Sequence, residues 1–319
     1  MTDVKRVLAI GFSQTGQLDS VLDSVLGPLR ASGAIEVTEL QLEPVKAFPF
    51  PWPFWRFFDT FPECVYEEPA PIREPNLTGD EDFDLIVFSW QVWFLSPAMP
   101  AMAFLQHPKA RRVIAGKPIV SVIACRNMWL SAYETFKRHI EYIGGHLIDN
   151  VVLTDPAHSA ATFVSTPVWV LTGHRGPFLG GLIPAAGVSR EDIDAAARFG
   201  EAIARQLPDR APDDFTPMLQ GLGAVHVNER MIASEHIAHR SFRIWGALLR
   251  TLGRPNTPLR RAVLALYFLF LFTLIITVVP ISAVIKRLVA PLTRERTARQ
   301  RRYYAAPSGE STELLDRTA

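Results

Sequence analysis

Apolar residues fall along this chain in three rhythms. Short β-branched and aliphatic runs at 4–11, 84–89, 118–124 and 147–153, with alternation at 35–42, predict five strands; the unbroken runs are what a parallel sheet buried on both faces requires. Between them the spacing becomes helical. Residues 18–30 place Leu18, Val21, Leu22, Val25, Leu26 and Leu29 on one face, 97–107 can form a helix with Pro97 near its first turn, and 130–143 closes at Gly144-Gly145. A further helix opens at Ser189, with Asp192 three residues on as in a capping box, and runs to about 207. The third rhythm is no rhythm at all: 262–285 is 24 residues without a charge. As a helix it measures about 36 Å, enough to cross a hydrocarbon core of about 30 Å.

Strand–helix alternation predicts an α/β fold, a doubly wound five-stranded parallel sheet with right-handed crossovers and strand order 2-1-3-4-5. Residues 1–207 form this domain, interrupted by a Pro- and aromatic-rich insertion at 44–76 and a Thr-, Gly- and Pro-rich one at 155–188. Insertions of that length point to lids or substrate walls. A Pro/Gly linker is expected at 208–228, a basic amphipathic helix at 229–260, a membrane segment at 261–286 and a basic, then polar, tail at 287–319. Truncation after Leu207 is expected to yield a soluble domain.

Charge sharpens the picture of the C-terminal third. The whole chain carries +1, but residues 1–225 hold 18 Lys/Arg against 26 Asp/Glu, and residues 226–302 hold 14 against 3. A basic block around an apolar run suits anionic lipid head groups rather than nucleic acid. Arg250, Arg254, Arg260 and Arg261 precede the run, and Lys286, Arg287, Arg294, Arg296, Arg299, Arg301 and Arg302 follow it. A positive-inside bias then puts both flanks on the cytoplasmic side, which a span broken at Pro280 or a re-entrant wedge would reconcile; crossing stays open. With two cysteines, no CxxC pair and no signal-peptide pattern, the expected location is the cytoplasmic face of the inner membrane.

Chemistry concentrates after the first strand, at Ser13-Gln14-Thr15-Gly16-Gln17. Phosphate needs free backbone N–H groups, short hydroxyl donors and a helix N-terminus, and this position supplies all three. The loop lacks Lys and Arg, which fits a singly esterified phosphate and excludes a GxxxxGK[ST] triphosphatase loop. The loop after the third strand (Gln91, Val92, Trp93, Phe94) offers flat apolar faces with an amide. The loop after the fourth (Cys125, Arg126, Asn127) offers partners for a polar or anionic ring edge. His236 and His239 beside Glu235 are too few for a metal site, and none is expected. No catalytic base can be assigned, although Asp59 and Arg56 are polar candidates within the aromatic insertion.

S-x-T-G-x after a first strand resembles the FMN phosphate loop of flavodoxin-like proteins, with Leu18 where those loops usually carry another Thr. More narrowly, FSQTGQL, FPFPWPFWRFFDTFPECV, QVWFLSPAMP, ACRNMWL, LIDNVVLTD and TPVWVLTG resemble, in order, the flavodoxin-like component of dialkylresorcinol biosynthesis, often labelled a condensing enzyme. That resemblance, over about residues 4–195, implies a flavodoxin-like fold, an FMN cofactor and a lipophilic cyclohexanedione or resorcinol substrate. Decarboxylative condensation would need an acyl-carrying Cys with a His partner, which Cys125 does not evidently have. An FMN-dependent oxidoreductase that aromatises the ring is the preferred expectation. An NAD(P)H-dependent quinone reductase and a flavin-free scaffold for a ketosynthase are the alternatives, and a ketosynthase and a second copy of the chain are candidate partners.

Overall fold

The computed structural model describes residues 4–315. Five parallel strands make the sheet: β1 (Lys5–Gly11), β2 (Ile35–Gln41), β3 (Leu85–Trp93), β5 (Pro118–Cys125) and β6 (His146–Thr154). Their order is β2-β1-β3-β5-β6, and the two-residue β4 (Ser96–Pro97) folds back antiparallel on the end of β3. Leaving that hairpin aside, the order is the expected 2-1-3-4-5, a flavodoxin-like topology whose switch point lies between β1 and β3.

Side chains alternate across β3 and sort the helices to two faces. Phe88 and Trp90 meet Phe104 of α4 (Met99–Leu105) and Phe136 of α6 (Leu130–Tyr142); the Trp90 ring stacks on Phe136 at 4.7 Å and donates to Ser121 Oγ at 2.9 Å. Ser89 points the other way, toward Gly11 and Leu22 of α1 (Gln17–Ala31). There α9 (Ala197–Gln206) crosses α1 so closely that a Cβ on Gly200 would sit 1.9 Å from the Val25 carbonyl oxygen. Only glycine fits that crossing.

Several boundaries differ from the sequence expectation. The helix expected at 97–107 is α4, with Pro97 in β4 rather than in its first turn, and a further helix, α5 (Pro108–Ile114), follows it. Strand β3 runs four residues beyond the apolar run, so Gln91, Val92 and Trp93 are strand residues rather than loop. The helix from Ser189 is two pieces, α8 (Arg190–Ala195) and α9. The aromatic insertion carries two short helices, α2 (Phe54–Phe58) and α3 (Phe61–Val65), and the insertion at 155–188 carries α7 (Ser159–Thr172).

The largest correction is the linker. Met218, Leu219, Leu222, Ala224, Val225 and Val227 are buried, and the Val152 amide of β6 donates to the Ala224 carbonyl. This segment covers the open edge of the sheet, which otherwise presents unpaired backbone groups. The amphipathic helix appears as α10 (Glu229–Thr251), with Ile232 and Leu249 buried and Ile237 and Leu248 facing outward. Arg260 belongs to the next helix, α11, whose helical assignment runs unbroken from Pro258 to Ala305, past Pro280. Within it 258–278 is apolar and long enough to cross a membrane, and little of it is buried. The side chains of Pro280, Lys286 and Arg287, and residues 316–319, lie outside the described ones.

Two apolar clusters result. The main one fills both faces of the sheet. A second joins Phe61 and Val65 of α3 to Leu249 of α10 and Leu264 and Tyr267 of α11. An ion-pair network pins this second cluster. Arg260, fully buried, donates to Asp59 Oδ1 at 2.5 Å, the Asp59 carbonyl at 2.8 Å, both Glu63 carboxylate oxygens at 2.7 Å and the Gly253 carbonyl at 3.2 Å. Asp59 is therefore a structural anchor and not a base. Arg56 donates to the Ala47 carbonyl at 3.2 Å, at the surface.

Candidate functional site

The loop between β1 and α1 is built as an anion cradle. Gly16, at the helix N-cap, adopts φ 79°, a left-handed conformation that a Cβ would strain. Ser13 Oγ accepts from the Leu18 amide at 3.2 Å, so the hydroxyl proton remains available to a ligand. Among the described residues nothing accepts from the backbone N–H of Thr15, Gly16 or Gln17, and the Thr15 hydroxyl has no partner. Three amides at the positive end of a 15-residue helix, with two hydroxyls, suit a phosphate dianion. Leu18 takes the place of a further hydroxyl because the position points into the core, where it is fully buried.

Gln14 and Gln17 do something the sequence did not reveal. The Gln14 amide N–H donates to Gln91 Oε1 at 3.1 Å, and its side chain donates to the carbonyls of Phe48 and Pro49 at 3.1 and 3.0 Å. Gln17 donates to the Val188 carbonyl and accepts from the Val188 amide, at 3.1 and 2.9 Å. Their side chains thus clamp the two insertions to the loop, while their stems still line the cavity beside it.

That cavity, about 190 Å³, lies at the C-terminal ends of β1, β3 and β5. Its wall brings together Gln14, Thr15, Gln17, Gln91, Val92, Trp93, Phe94, Cys125 and Arg126; Ser13, Gly16 and Asn127 lie outside the wall. Trp93 stands edge-on to Phe12, Phe48 and Trp52, with ring centroids 5.8, 5.0 and 5.6 Å away. Phe94 and Leu95 form the two-residue turn between β3 and β4 with φ 49° and 60°. Asn-Gly is the usual choice there, and a left-handed conformation costs about 1–2 kcal/mol per non-glycine residue. Contacts of Phe94 with Phe57, Phe61 and Phe242, at 4.9 to 6.0 Å, hold the strained turn in place.

One charged group sits in this apolar wall. Arg126 donates from Nε to Thr162 Oγ1 at 2.9 Å and lies over the Phe163 ring at 4.0 Å, but its buried Nη2 has no partner among the described residues. Burial lowers its pKa to about 10, with Asp155 opposing the shift, so it stays cationic at neutral pH. A cation left partly unsatisfied beside a cavity favours an anionic or carbonyl oxygen there. Asp155 is itself held by the amides of Ala157 and Gly187, at 2.9 and 2.8 Å. Burial pushes the Cys125 thiol up, away from the thiolate that an acyl carrier would need.

A lid was expected from the 155–188 insertion, but not the residues that form it. Thr166, Trp169 and Val170 of α7 close the cavity, and the Trp52 amide donates to the Val170 carbonyl at 2.8 Å, tying the two insertions together. Pro167 and the near-uniform apolarity of 159–172 hide any helical face there. His236 pairs with Tyr304 Oη at 3.0 Å, and no group of three metal-ligating side chains occurs among the described residues.

No protein-family model matches the chain, and no curated protein matches it. Among solved structures it is similar to a flavoprotein in complex with FMN from Lactobacillus acidophilus, at 14% identity over 46% of this chain and 92% of that one, TM-score 0.37. It is also similar to a flavodoxin from the domain Archaea, at 9% identity over 63% and 98%, TM-score 0.35. A flavone reductase aligns at 14% identity over 64% and 63%, TM-score 0.33. The fold assignment stands on the strand order.

Proposed function

We propose that this chain is a membrane-associated FMN-dependent oxidoreductase that aromatises a lipophilic dialkyl cyclohexanedione to a dialkylresorcinol. The observation that carries it is the meeting, at the β1/β3 switch point, of an anion cradle with an adjoining cavity walled by aromatics and a half-satisfied arginine. These residues fit the cofactor. Thr15, Ser13 and the free amides at 15–17 would hold the phosphate, Trp93 and Phe94 would flank the ring system, and Arg126 would face its polar edge. Bound FMN would supply a hydride acceptor. The protein's part is to orient the diketone against an apolar wall, exclude water with the α7 roof, and stabilise charge developing on a ring oxygen or on the cofactor through Arg126. Aromatisation removes one hydride and one proton from the ring. The apolar wall and the exposed apolar helix beside it suit a substrate dissolved in lipid.

The visible spectrum of detergent-purified protein tests the proposal. Two oxidised-flavin bands, with FMN released on denaturation, followed by cyclohexanedione oxidation in membranes, are the expected results. A colourless protein that takes up no added FMN would overturn it, and consumption of NAD(P)H with a quinone would redirect it to reduction.

A further inference from the structure

After α11 the chain returns to the globular domain and becomes part of it. Ser308 Oγ donates to Asp149 Oδ1 at 2.7 Å and accepts from the Asn150 amide at 2.8 Å, both inside β6. The Gly223 amide donates to the Ser311 carbonyl and the Leu314 amide to the Gly221 carbonyl, so the tail and the 218–227 segment are bonded together over the sheet edge. Arg301 pairs with Glu229 and Glu310, and Tyr304 is buried against His236 and Trp129. The beginning of α11 is equally fixed, through Arg260 and through Tyr267 packed on Phe242 and Trp245.

The two ends dock close together. Tyr267 touches Phe242 and Tyr304 touches His236, six residues apart on α10, or about 9 Å along its axis. Even with each contact stretched to about 14 Å between backbones, Tyr267 and Tyr304 are within about 37 Å, whereas 37 residues of straight helix would separate them by about 55 Å. The axis of α11 is therefore bent by at least about a right angle between Tyr267 and Tyr304. Pro280 and Pro291 fall in that stretch, and each lacks the N–H that an unkinked helix uses. Exposed apolar side chains line both arms, Leu269, Phe272 and Ile276 going out and Leu288, Val289 and Leu292 coming back. Exposed arginines stand at both feet, Arg254 and Arg261 at one and Arg294, Arg296 and Arg299 at the other.

We propose that α11 is a re-entrant hairpin that dips into an anionic bilayer and leaves by the face it entered, so the chain is held on one side and never crosses. This rests on the membrane association proposed above. A single crossing would put residues 301–315 on the far side from residues 4–255, and the two share one hydrogen-bonded sheet edge. Same-side return also places both basic feet at the same layer of anionic head groups, where each arginine is attracted.

Full-length protein carrying Arg254→Cys, Ile276→Cys or Arg299→Cys is bound to preformed phosphatidylcholine/phosphatidylglycerol vesicles, floated, and exposed to a membrane-impermeant maleimide added outside or trapped inside. The unsubstituted chain, with its native Cys64 buried and Cys125 half-buried, sets the background. Labelling of Arg254→Cys and Arg299→Cys from outside only, with Ile276→Cys protected from both sides until detergent is added, is the expected result. Labelling of Arg299→Cys from inside only would establish a crossing and overturn the hairpin while leaving membrane association intact. Labelling of Ile276→Cys from outside on floated protein would mean surface attachment without insertion, and also overturns it. A chain that does not float with vesicles overturns the association itself, and the hairpin with it.

Discussion

Two arginines in this molecule, Arg260 buried and Arg126 half-buried, are treated in opposite ways. Arg260, where α11 meets the aromatic insertion, has five hydrogen bonds to acceptors on Asp59, Glu63 and Gly253 and no exposed side-chain surface. Arg126, at the cavity wall, has one hydrogen bond, one aromatic face and a nitrogen with no partner among the described residues. The first is a finished junction, in which one guanidinium is shared by two carboxylates and all its donors are taken. The second is kept incomplete, beside a strained Phe94-Leu95 turn and an uncapped helix end. Incomplete polar satisfaction marks where a ligand belongs, and complete satisfaction marks what must not move.

Breaking the finished junction is expected to have the largest effect. Arg260→Ala takes the counter-charge from the buried Asp59 carboxylate, which keeps the Asn256 amide, and from the half-buried Glu63, which costs about 3–5 kcal/mol. Rapid proteolysis within α2, α3 and the start of α11, with a lowered thermal midpoint, is expected; unchanged stability would show that the network is not a rivet. Arg126→Met should do the reverse, changing stability by about 1 kcal/mol or less while weakening FMN about tenfold, or about 1.4 kcal/mol. Equal losses in both measurements would erase the distinction between the two arginines.

The phosphate end sharpens the same contrast. Thr15→Asp places a carboxylate among amides free to bind an anion, and FMN content after purification should fall at least about tenfold through like-charge repulsion. Normal flavin content would remove the cradle from the site.

Glu235 gives the smallest effect and a sign that can be checked. It is fully buried on α10, accepts from the Ser131 amide at the start of α6 at 2.6 Å, and burial raises its pKa to about 7 from 4.5. Because the folded state keeps this proton after the unfolded chain has released it, stability falls as pH rises from about 4.5 to about 7 and levels off above. Asp149, raised to about 6 by burial, adds a fall of the same sign over lower pH. In Glu235→Gln the midpoint should drop less between pH 5 and 8 than in the parent, and an identical drop would show that Glu235 does not titrate there.

Truncation after Leu207 now carries a different expectation from the one composition suggested. The cut would remove 218–227, α10 and the returning tail, and so strip the edge of β6 and expose its buried neighbours. Aggregation is the expected outcome. Replacing 272–297 with a flexible Gly/Ser linker should instead leave a folded chain that no longer floats with vesicles.

The five strands, the helices at 18–30 and 130–143, the Gly-containing loop between β1 and α1 and the apolar segment were legible in the sequence, because each is written in local periodicity or in contiguous turn chemistry. Short-range spacing also showed that the 44–76 and 155–188 insertions stand apart from the sheet. What only the tertiary structure decided are the partnerships made across long separations. Gln14 and Gln17 reach 34 and 171 residues along the chain to clamp the insertions, Arg260 reaches 201 residues to Asp59, and Ser308 reaches 159 to Asp149. A Pro/Gly-rich stretch reads as a spacer until a sheet edge needs cover, and the sequence of a basic apolar helix does not tell that both its ends join the same core. Burial and satisfaction are properties of the assembled neighbourhood, and no window of sequence contains them.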